Sequence, residues 1–448
     1  MSTTGYLARK TQVADALGST RQIRLRKRTS NLFRDRPAPG RDGLDVEGLQ
    51  HVLAVDSARQ YVDVEGMTPY DVLVDETLAS RVMPCVVPQL RSITVGGAIA
   101  GIGIESSSFR HGLVHETLLE LDVLLADSSV VTCTPDNEHR DLFFGFANSY
   151  GTLGYALRAR LQTIPARPYV SLTHHAFTSP RSFFDGLGRF CDSEVDFLEG
   201  VVFDPTSLFV TTANFVDHVS NTSDYGFEHI YYRSIRERDE DNLTAHDYLW
   251  RWDTDWFWCS RNLWADKPLV RRLLGRERLN SRFYQKLMRW NSHWGMTRRL
   301  GRLAGLHQES VIQDVVIPLH NAVGFLEFLV REIGITPIWI CPIRRVNASH
   351  RFPLFHLEPG TTYVNFGFWD VVRSRKAFPE GHFNRLVENE VARCAGIKSL
   401  YSDSFFTRDT FWQHYDGAAY KALKERYDPA RRFGDLYDKC VRMTERRH

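Results

Sequence analysis

The sequence lacks the short motifs that usually declare a chemistry at once. No Gly-Lys-Ser or Gly-Lys-Thr occurs in its 448 residues, which excludes a Walker phosphate loop. There is no C-x-x-C pair. The seven cysteines stand singly at 85, 133, 191, 259, 341, 394 and 440, so metal-ribbon and thioredoxin-like chemistry drop out. The opening stretch MSTTGYLARK has no apolar run near the ~20 residues of a membrane span and no signal-peptide core. With an odd number of scattered cysteines, this sets the expectation of a reducing, cytoplasmic location. A net charge of +2 argues neither for nor against nucleic acid. The composition, 43% hydrophobic and 25% charged, is that of a soluble globular protein with room for two or three domains. Internal repeats and low-complexity tracts are absent.

What is present is glycine, concentrated in one place. Ser92 to Gly112 reads SITVGGAIAGIGIESSSFRHG, with Gly96, Gly97, Gly101 and Gly103 followed by Ser106, Ser107 and Ser108. Clustered glycines let a ligand approach the backbone, and amides with hydroxyls suit a phosphate or pyrophosphate. A glycine-rich turn in an ordinary sheet is the alternative. The Rossmann fingerprint fails here, because Gly101-Ile102-Gly103-Ile104-Glu105-Ser106 lacks the third glycine and a serine-rich turn takes the place of an amphipathic helix.

The flanks read as alternating elements. Gln60 to Glu65 alternates apolar and polar residues, as a half-buried strand does. Gly66 breaks it, and Thr68-Pro69 predicts a helix with Thr68 as its cap and Pro69 in its first turn. Strands are predicted at Leu119–Leu125 and Val130–Cys133, a short helix at Asp141–Phe144, and a strand after Gly151-Thr152-Leu153-Gly154 that ends at Ile164-Pro165.

These blocks together resemble the flavin domain of the p-cresol methylhydroxylase and vanillyl-alcohol oxidase superfamily. Gly103-Ile104-Glu105-Ser106-Ser107-Ser108 with Gly112-Leu113 is most similar to its sterol side-chain reductases, the 24-dehydrocholesterol reductase family. The likeness continues through Val311–Pro318, Pro337–Pro342, Leu400–Asp403, Phe411-Trp412, Tyr415–Gly417 and Leu436–Lys439, and so covers most of the chain from about Val55. It implies an α+β protein: a two-subdomain FAD-binding domain of the p-cresol methylhydroxylase type at 1–168, an α+β substrate or cap domain at 169–395, and a segment at 396–448 returning over the flavin.

The resemblance also implies FAD, with its pyrophosphate between two loops. The first holds Arg28, Thr29, Ser30 and Asn31, whose basic neighbours match phosphate charge. The second holds Thr94, Gly96, Gly97, Ala98, Gly101, Gly103, Ser106 and Ser107, and Gly151, Gly154 and Ile164 complete the set. Some relatives attach the flavin through a histidine of the first loop. No histidine precedes His51, so noncovalent FAD is expected. A sugar-oxidising branch has lysine before the aspartate of a block that here reads Leu400-Tyr401-Ser402-Asp403, and glutamine where this chain has Asp314. Both departures favour the reductases.

For chemistry, the candidates are Asp314, Tyr401 and Asp403. Asp314 lies in a valine- and isoleucine-rich strand, where burial would raise its pKa to useful acidity; alternation could equally turn it to solvent. Asp403 is either a site residue or a helix cap before Phe405, and Tyr401 either a site residue or a packed ring with its hydroxyl at the surface. His111 is read as completing a turn. Asn365 is read either as a strand residue facing a cavity or as an edge-strand asparagine.

Seven of the ten tryptophans lie between Trp250 and Trp294, and Lys267 to Arg302 holds eleven lysines and arginines against the single acid Glu277. That mixture suits an anionic membrane surface, or else a tryptophan-rich core with a solvated basic face. No nucleic-acid-binding fold accompanies it. The combined expectation is an FAD-dependent oxidoreductase reducing a carbon–carbon double bond in a sterol-like or isoprenoid substrate with NAD(P)H. The alternatives are a flavin oxidase or dehydrogenase of an alcohol or lipid-linked sugar, and a catalytically inactive peripheral membrane protein with this fold.

Overall fold

The computed structural model describes residues 3–18, 23–26, 43–294 and 306–441. The positions expected to form the first pyrophosphate loop, Arg28, Thr29, Ser30 and Asn31, lie outside the described residues. Most strands belong to two sheets, and the chain passes from one to the other between Pro165 and Tyr169.

The first sheet runs in the order Val52–Asp56, Tyr61–Glu65, Tyr155–Pro165, Leu118–Leu124, Val130–Cys133, with Val82–Pro84 paired to the end of Tyr155–Pro165. The alternation read in Tyr61–Glu65 buries Val62 and Val64 completely. Gly66 then permits a close crossing, since a Cβ there would stand 2.0 Å from the Ala156 carbonyl oxygen. The following helix, Tyr70–Ala79, starts later than predicted. Pro69 is its cap residue, and the Thr68 hydroxyl donates to the His51 carbonyl at 3.3 Å instead of capping. With no N–H of its own, proline fits this flanking position as well as the first turn.

The second sheet orders its eight strands as Glu240–Thr244, Tyr169–Phe177, Ser207–Val216, Phe197–Asp204, Ile338–Arg344, Thr362–Ser374, His307–Pro318 and Ile397–Lys398. All its pairings are antiparallel. Period-two alternation gives the sheet two different faces. Val311, Val315, Ile317, Phe366, Phe368, Ile338 and Ile340 share a core with residues of the helices Pro180–Cys191, Ala322–Phe328 and His382–Arg393. The opposite face presents Val316, Trp339, Cys341, Tyr363 and Trp369 to the core of the first domain. Asp314, Asn365 and Gly367 have the parity of this second face.

After Ile397–Lys398 the chain returns to the first domain through the helices Arg408–His414, Gly417–Tyr427 and Leu436–Cys440. Lys424 Nζ donates to the Thr152 carbonyl at 2.7 Å, and Arg426 pairs with Asp141 at 2.9 Å. The tryptophan-rich stretch is largely core: Trp250, Trp252, Trp256 and Trp258 are all buried, and Trp252 stacks on Phe257 at 4.9 Å. Nor is the basic run a uniform solvated face, because Arg271 is buried and paired with Asp255.

Candidate active site

The glycine stretch, expected as a loop, is a short helix, Val95–Gly101. Thr94 Oγ1 caps it by accepting from Gly97 N at 3.3 Å. Val95 and Ile99, four apart, are buried on its inner side, and Ile102 ends it with φ 62°. The four glycines divide into two kinds. Gly96 and Gly103 allow packing: a Cβ on Gly96 would meet Gly66 O at 2.9 Å, and one on Gly103 would meet Val114 at 2.5 Å. Gly97 is exposed and Gly101 half-buried, and with Thr94 they recur at intervals of three and four. They therefore form one open strip of the helix with little side chain on it.

The other expected cofactor residues sit around this strip in different ways. Ala98 is buried within the helix. The hydroxyls of Ser106 and Ser107, expected to face a phosphate, are instead bonded internally: Ser106 to Tyr248 Oη at 3.1 Å and Ser107 to the Cys85 carbonyl at 2.7 Å. Both serines are fully buried, which forces their hydroxyls to find protein partners. Gly151 and Gly154 have φ of +75° and +143° and shape the turn before Tyr155–Pro165. Ile164 pairs with Met83 near the end of that strand. His111 ends the four-residue helix Ser108–His111, as a turn residue.

Across from the strip stands a polar cluster on the second sheet. Asn365 Nδ2 donates to Asp314 Oδ1 at 2.7 Å, and Trp369 Nε1 donates to Tyr401 Oη at 2.7 Å. Gly367 lies between Asn365 and Trp369 on the same face. A Cβ there would stand 2.6 Å from the Trp369 ring and 2.8 Å from Asp314 Oδ1, so glycine is what lets ring and carboxylate meet. Burial pushes the Asp314 carboxyl up to about 7, against the opposing effect of hydrogen bonds from Asn365, Tyr401 and Trp369. Burial and the neighbouring Asp314 hold the Tyr401 phenol well above its ordinary range. Tyr150 adds to that upward push on Tyr401, and its hydroxyl donates to the Gly101 carbonyl at 3.1 Å. Tyr150 thus links the strip to the cluster where the two domains meet.

Of the three sequence candidates, the structure brings Asp314 and Tyr401 together. The Asp403 backbone carbonyl accepts from buried Lys398 Nζ at 2.7 Å. Asp403 is not a helix cap, since the next helix starts at Arg408 with Thr407 as its cap. Asn365 lies on an interior strand, fully buried, not on an edge. Trp369 was missed; its only sequence signal was its two-residue register with Asn365 and Gly367.

A buried ionic knot between the two domains was also missed. Arg251 pairs with Glu105 at 3.2 Å and Glu199 at 3.0 Å, and Trp252 and Trp339 donate to Glu199 Oε2 at 3.0 and 2.8 Å. Cys341 Sγ contacts the Glu105 carbonyl at 3.0 Å. The knot ties the segment after the glycines to the cap domain. Burial raises the Glu105 pKa, while Arg251 opposes the shift.

The FAD binding domain family matches residues 10–134, a stretch that includes the whole glycine segment. The chain thus carries an FAD-binding domain and is an FAD-dependent oxidoreductase. It is similar to Delta(24)-sterol reductase of Homo sapiens, with 29% identity over 423 residues covering 88% of this chain and 77% of that protein. Delta(24)-sterol reductase of Pisum sativum is 25% identical over 455 residues, 90% of this chain and 77% of its own. Cytokinin dehydrogenase 7 of Oryza sativa subsp. japonica is 30% identical over 174 residues, 37% of this chain and 33% of its own.

The flavoenzyme's residues fit the cofactor. The Gly97–Gly101 strip is a surface on which side chains would intrude. Beside it, fully buried Asn148 Oδ1 and Ser149 Oγ, next to Tyr150, have no partner among the described residues, and neither has Asn365 Oδ1 on the second sheet. Buried polar atoms left in this state are costly unless something meets them. Thr94, Gly97 and Gly101 would lie along the bound group, with Tyr150 and the Asp314 cluster at its far side.

Proposed function

We propose that this oxidoreductase reduces a carbon–carbon double bond in an apolar, sterol-like or isoprenoid substrate, with NAD(P)H as electron donor. The observation that carries the reading is the buried Asp314 carboxyl, raised to about 7 by burial and set beside Asn365, Trp369 and Tyr401 where the second sheet meets the first domain. Bound FAD supplies hydride chemistry that no amino-acid side chain provides. The chain's task is to place the alkene and manage one proton.

Asp314 suits the proton role because a catalytic acid works best with a pKa near the working pH. Asn365 donates to Oδ1 and so orients the carboxyl. Trp369 fixes the Tyr401 hydroxyl and presents an indole face next to Phe257 and Trp258, at ring distances of 4.5 and 5.6 Å. This aromatic wall favours an apolar substrate and limits water at the acid. The names of the sterol reductases similar to this chain support the substrate class. All seven cysteines are free, in keeping with a cytoplasmic setting, and we take an anionic membrane surface to be the source of the apolar substrate.

A carboxyl poised near neutrality could also accept a proton from an alcohol, so the rival activity is alcohol oxidation. The two are separated by what bleaches the flavin without oxygen. NADPH or NADH should reduce the purified protein, with a sterol or isoprenoid alkene then restoring the oxidised spectrum. Reduction by alcohols but by neither nicotinamide would overturn the proposal.

A further inference from the structure

Most large apolar side chains of this protein are buried, but three stand well out from the surface close together in sequence. Trp264, Leu269 and Leu273 are 73%, 72% and 75% exposed. Leu269 and Leu273 lie four apart on the helix Pro268–Leu274, hence on one side of it. Trp264 is joined to the helix start by a turn, in which Lys267 N donates to its carbonyl. The inner side of the same helix is anchored by buried Arg271, held by Asp255 and by the Phe227 and Ala265 carbonyls. The helix therefore projects as a rigid ridge with its aliphatic edge outward.

Charge at the edge of the ridge is arranged differently from charge beneath it. Arg271 is locked inside. Lys267 and Arg272 are 65% and 71% exposed, and among the described residues they have loose partners, Asp266 at 3.8 Å and Glu228 at 3.6 Å. Arg278, just beyond Gly275, is exposed too. Pairs of that length in water contribute little, so these cations are available to another anion. An indole and two leucines bordered by flexible cations match the boundary between headgroups and acyl chains, where rings and aliphatic tips enter and cations remain with lipid phosphate.

We infer that the ridge formed by Trp264, Leu269 and Leu273, with Lys267, Arg272 and Arg278 beside it, docks this enzyme on an anionic lipid bilayer. This rests on the membrane source taken in the proposed function and assigns that contact to particular residues, while its test does not depend on the reaction. A convex ridge with three separated apolar tips suits a deformable bilayer better than a protein groove, and the loosely paired cations select negatively charged lipid. No helix among the described residues is long and apolar enough to cross a membrane.

The experiment uses the full chain loaded with FAD and two vesicle types, phosphatidylcholine alone and phosphatidylcholine with one third phosphatidylserine. The wild type should sediment with the anionic vesicles at least tenfold better than with the neutral ones. A Trp264→Ser, Leu269→Ser, Leu273→Ser triple variant should lose at least tenfold of that binding while keeping its FAD content. Lys267→Glu with Arg272→Glu should remove the preference for anionic vesicles. A wild type that ignores both vesicle types, or a triple variant that binds unchanged, would overturn the inference. So would a triple variant that turns a dimer into a monomer without altering lipid binding, since the ridge would then serve a second copy of the chain. Anaerobic flavin reduction by NADPH, measured on the same samples, tests the reaction separately.

Discussion

Asn365 donates its side-chain amide to Asp314 at 2.7 Å, diagonally across neighbouring strands and beneath the opening left by Gly367. This bond fixes the buried carboxyl in place and leads to a pH profile. With Asp314 as proton donor and its pKa at about 7, turnover should fall as pH rises through about 7. Asp314→Asn should retain FAD, lose that inflection, and turn over ~10²–10⁴-fold more slowly. Steady-state rates from pH 5.5 to 9 decide the matter. A variant within a few-fold of wild type that keeps the inflection would strip Asp314 of its role.

The same carboxyl has a consequence for folding. Its pKa is raised on folding, from 3.8 to about 7, so the folded state binds the proton more tightly than the unfolded chain. Stability from this group is fully present below about pH 4 and is lost as pH rises toward 7. Asp314→Asn should remove the loss, making the variant gain on wild type between pH 5 and pH 8. Denaturant midpoints at the two pH values test this, and a difference that does not change with pH would contradict it.

The sequence made some of this legible and hid the rest, for physical reasons. Tyr61–Glu65, Leu118–Leu124, Val130–Cys133 and Tyr155–Pro165 could be read because alternation and bounding turn residues are local. The helix Val95–Gly101 could not, since a run of glycines carries little helix propensity and forms here under the Thr94 cap and the buried Val95 and Ile99. Asp314 and Tyr401 could be nominated from their blocks. Their meeting depends on Gly367 and Trp369, which are brought there by strand pairing. The tryptophans from Trp250 to Trp258 looked suited to a membrane, yet burial by distant strands makes them core, and three other side chains form the exposed ridge.

Glycines with different tasks should fail in different ways. Gly97 is exposed on the open strip, and a Cβ there would approach the capping Thr94 Oγ1 to 2.8 Å. Gly97→Val should therefore fold but lose most of its flavin. Gly154 sits at φ +143° with a would-be Cβ 2.5 Å from Val123 and 2.8 Å from the Leu124 carbonyl. Gly154→Ala should cost on the order of 1–3 kcal/mol of stability. Flavin absorbance per protein and melting temperature together separate the two effects; a normal flavin content in folded Gly97→Val would count against the strip.

The flavin should be held without a covalent bond, because no histidine precedes His51. His51 is itself engaged by Glu65 at 2.7 Å, and buried His115 packs on Phe352 with ring centroids 4.4 Å apart. Acid precipitation should release the yellow chromophore to the supernatant. Colour retained in the washed pellet would reveal a covalent link.

The last expectation concerns Arg251, which stands between two buried carboxylates. Its side chain is fully enclosed, while those of Glu105 and Glu199 are 3% and 1% exposed. Removing the cation leaves two acids to share a dry site, and breaking a buried pair in this way typically costs about 3–5 kcal/mol. Arg251→Met keeps much of the volume, so the loss would report charge more than packing. The penalty should shrink at low pH, because protonating Glu105, already raised by burial, relieves the repulsion. Urea unfolding of wild type and Arg251→Met at pH 5 and pH 8 measures both quantities. A loss under about 1 kcal/mol at pH 8 would mean that the knot contributes little to joining the flavin domain to its cap, whereas an equal loss at the two pH values would point to lost packing instead of unpaired charge.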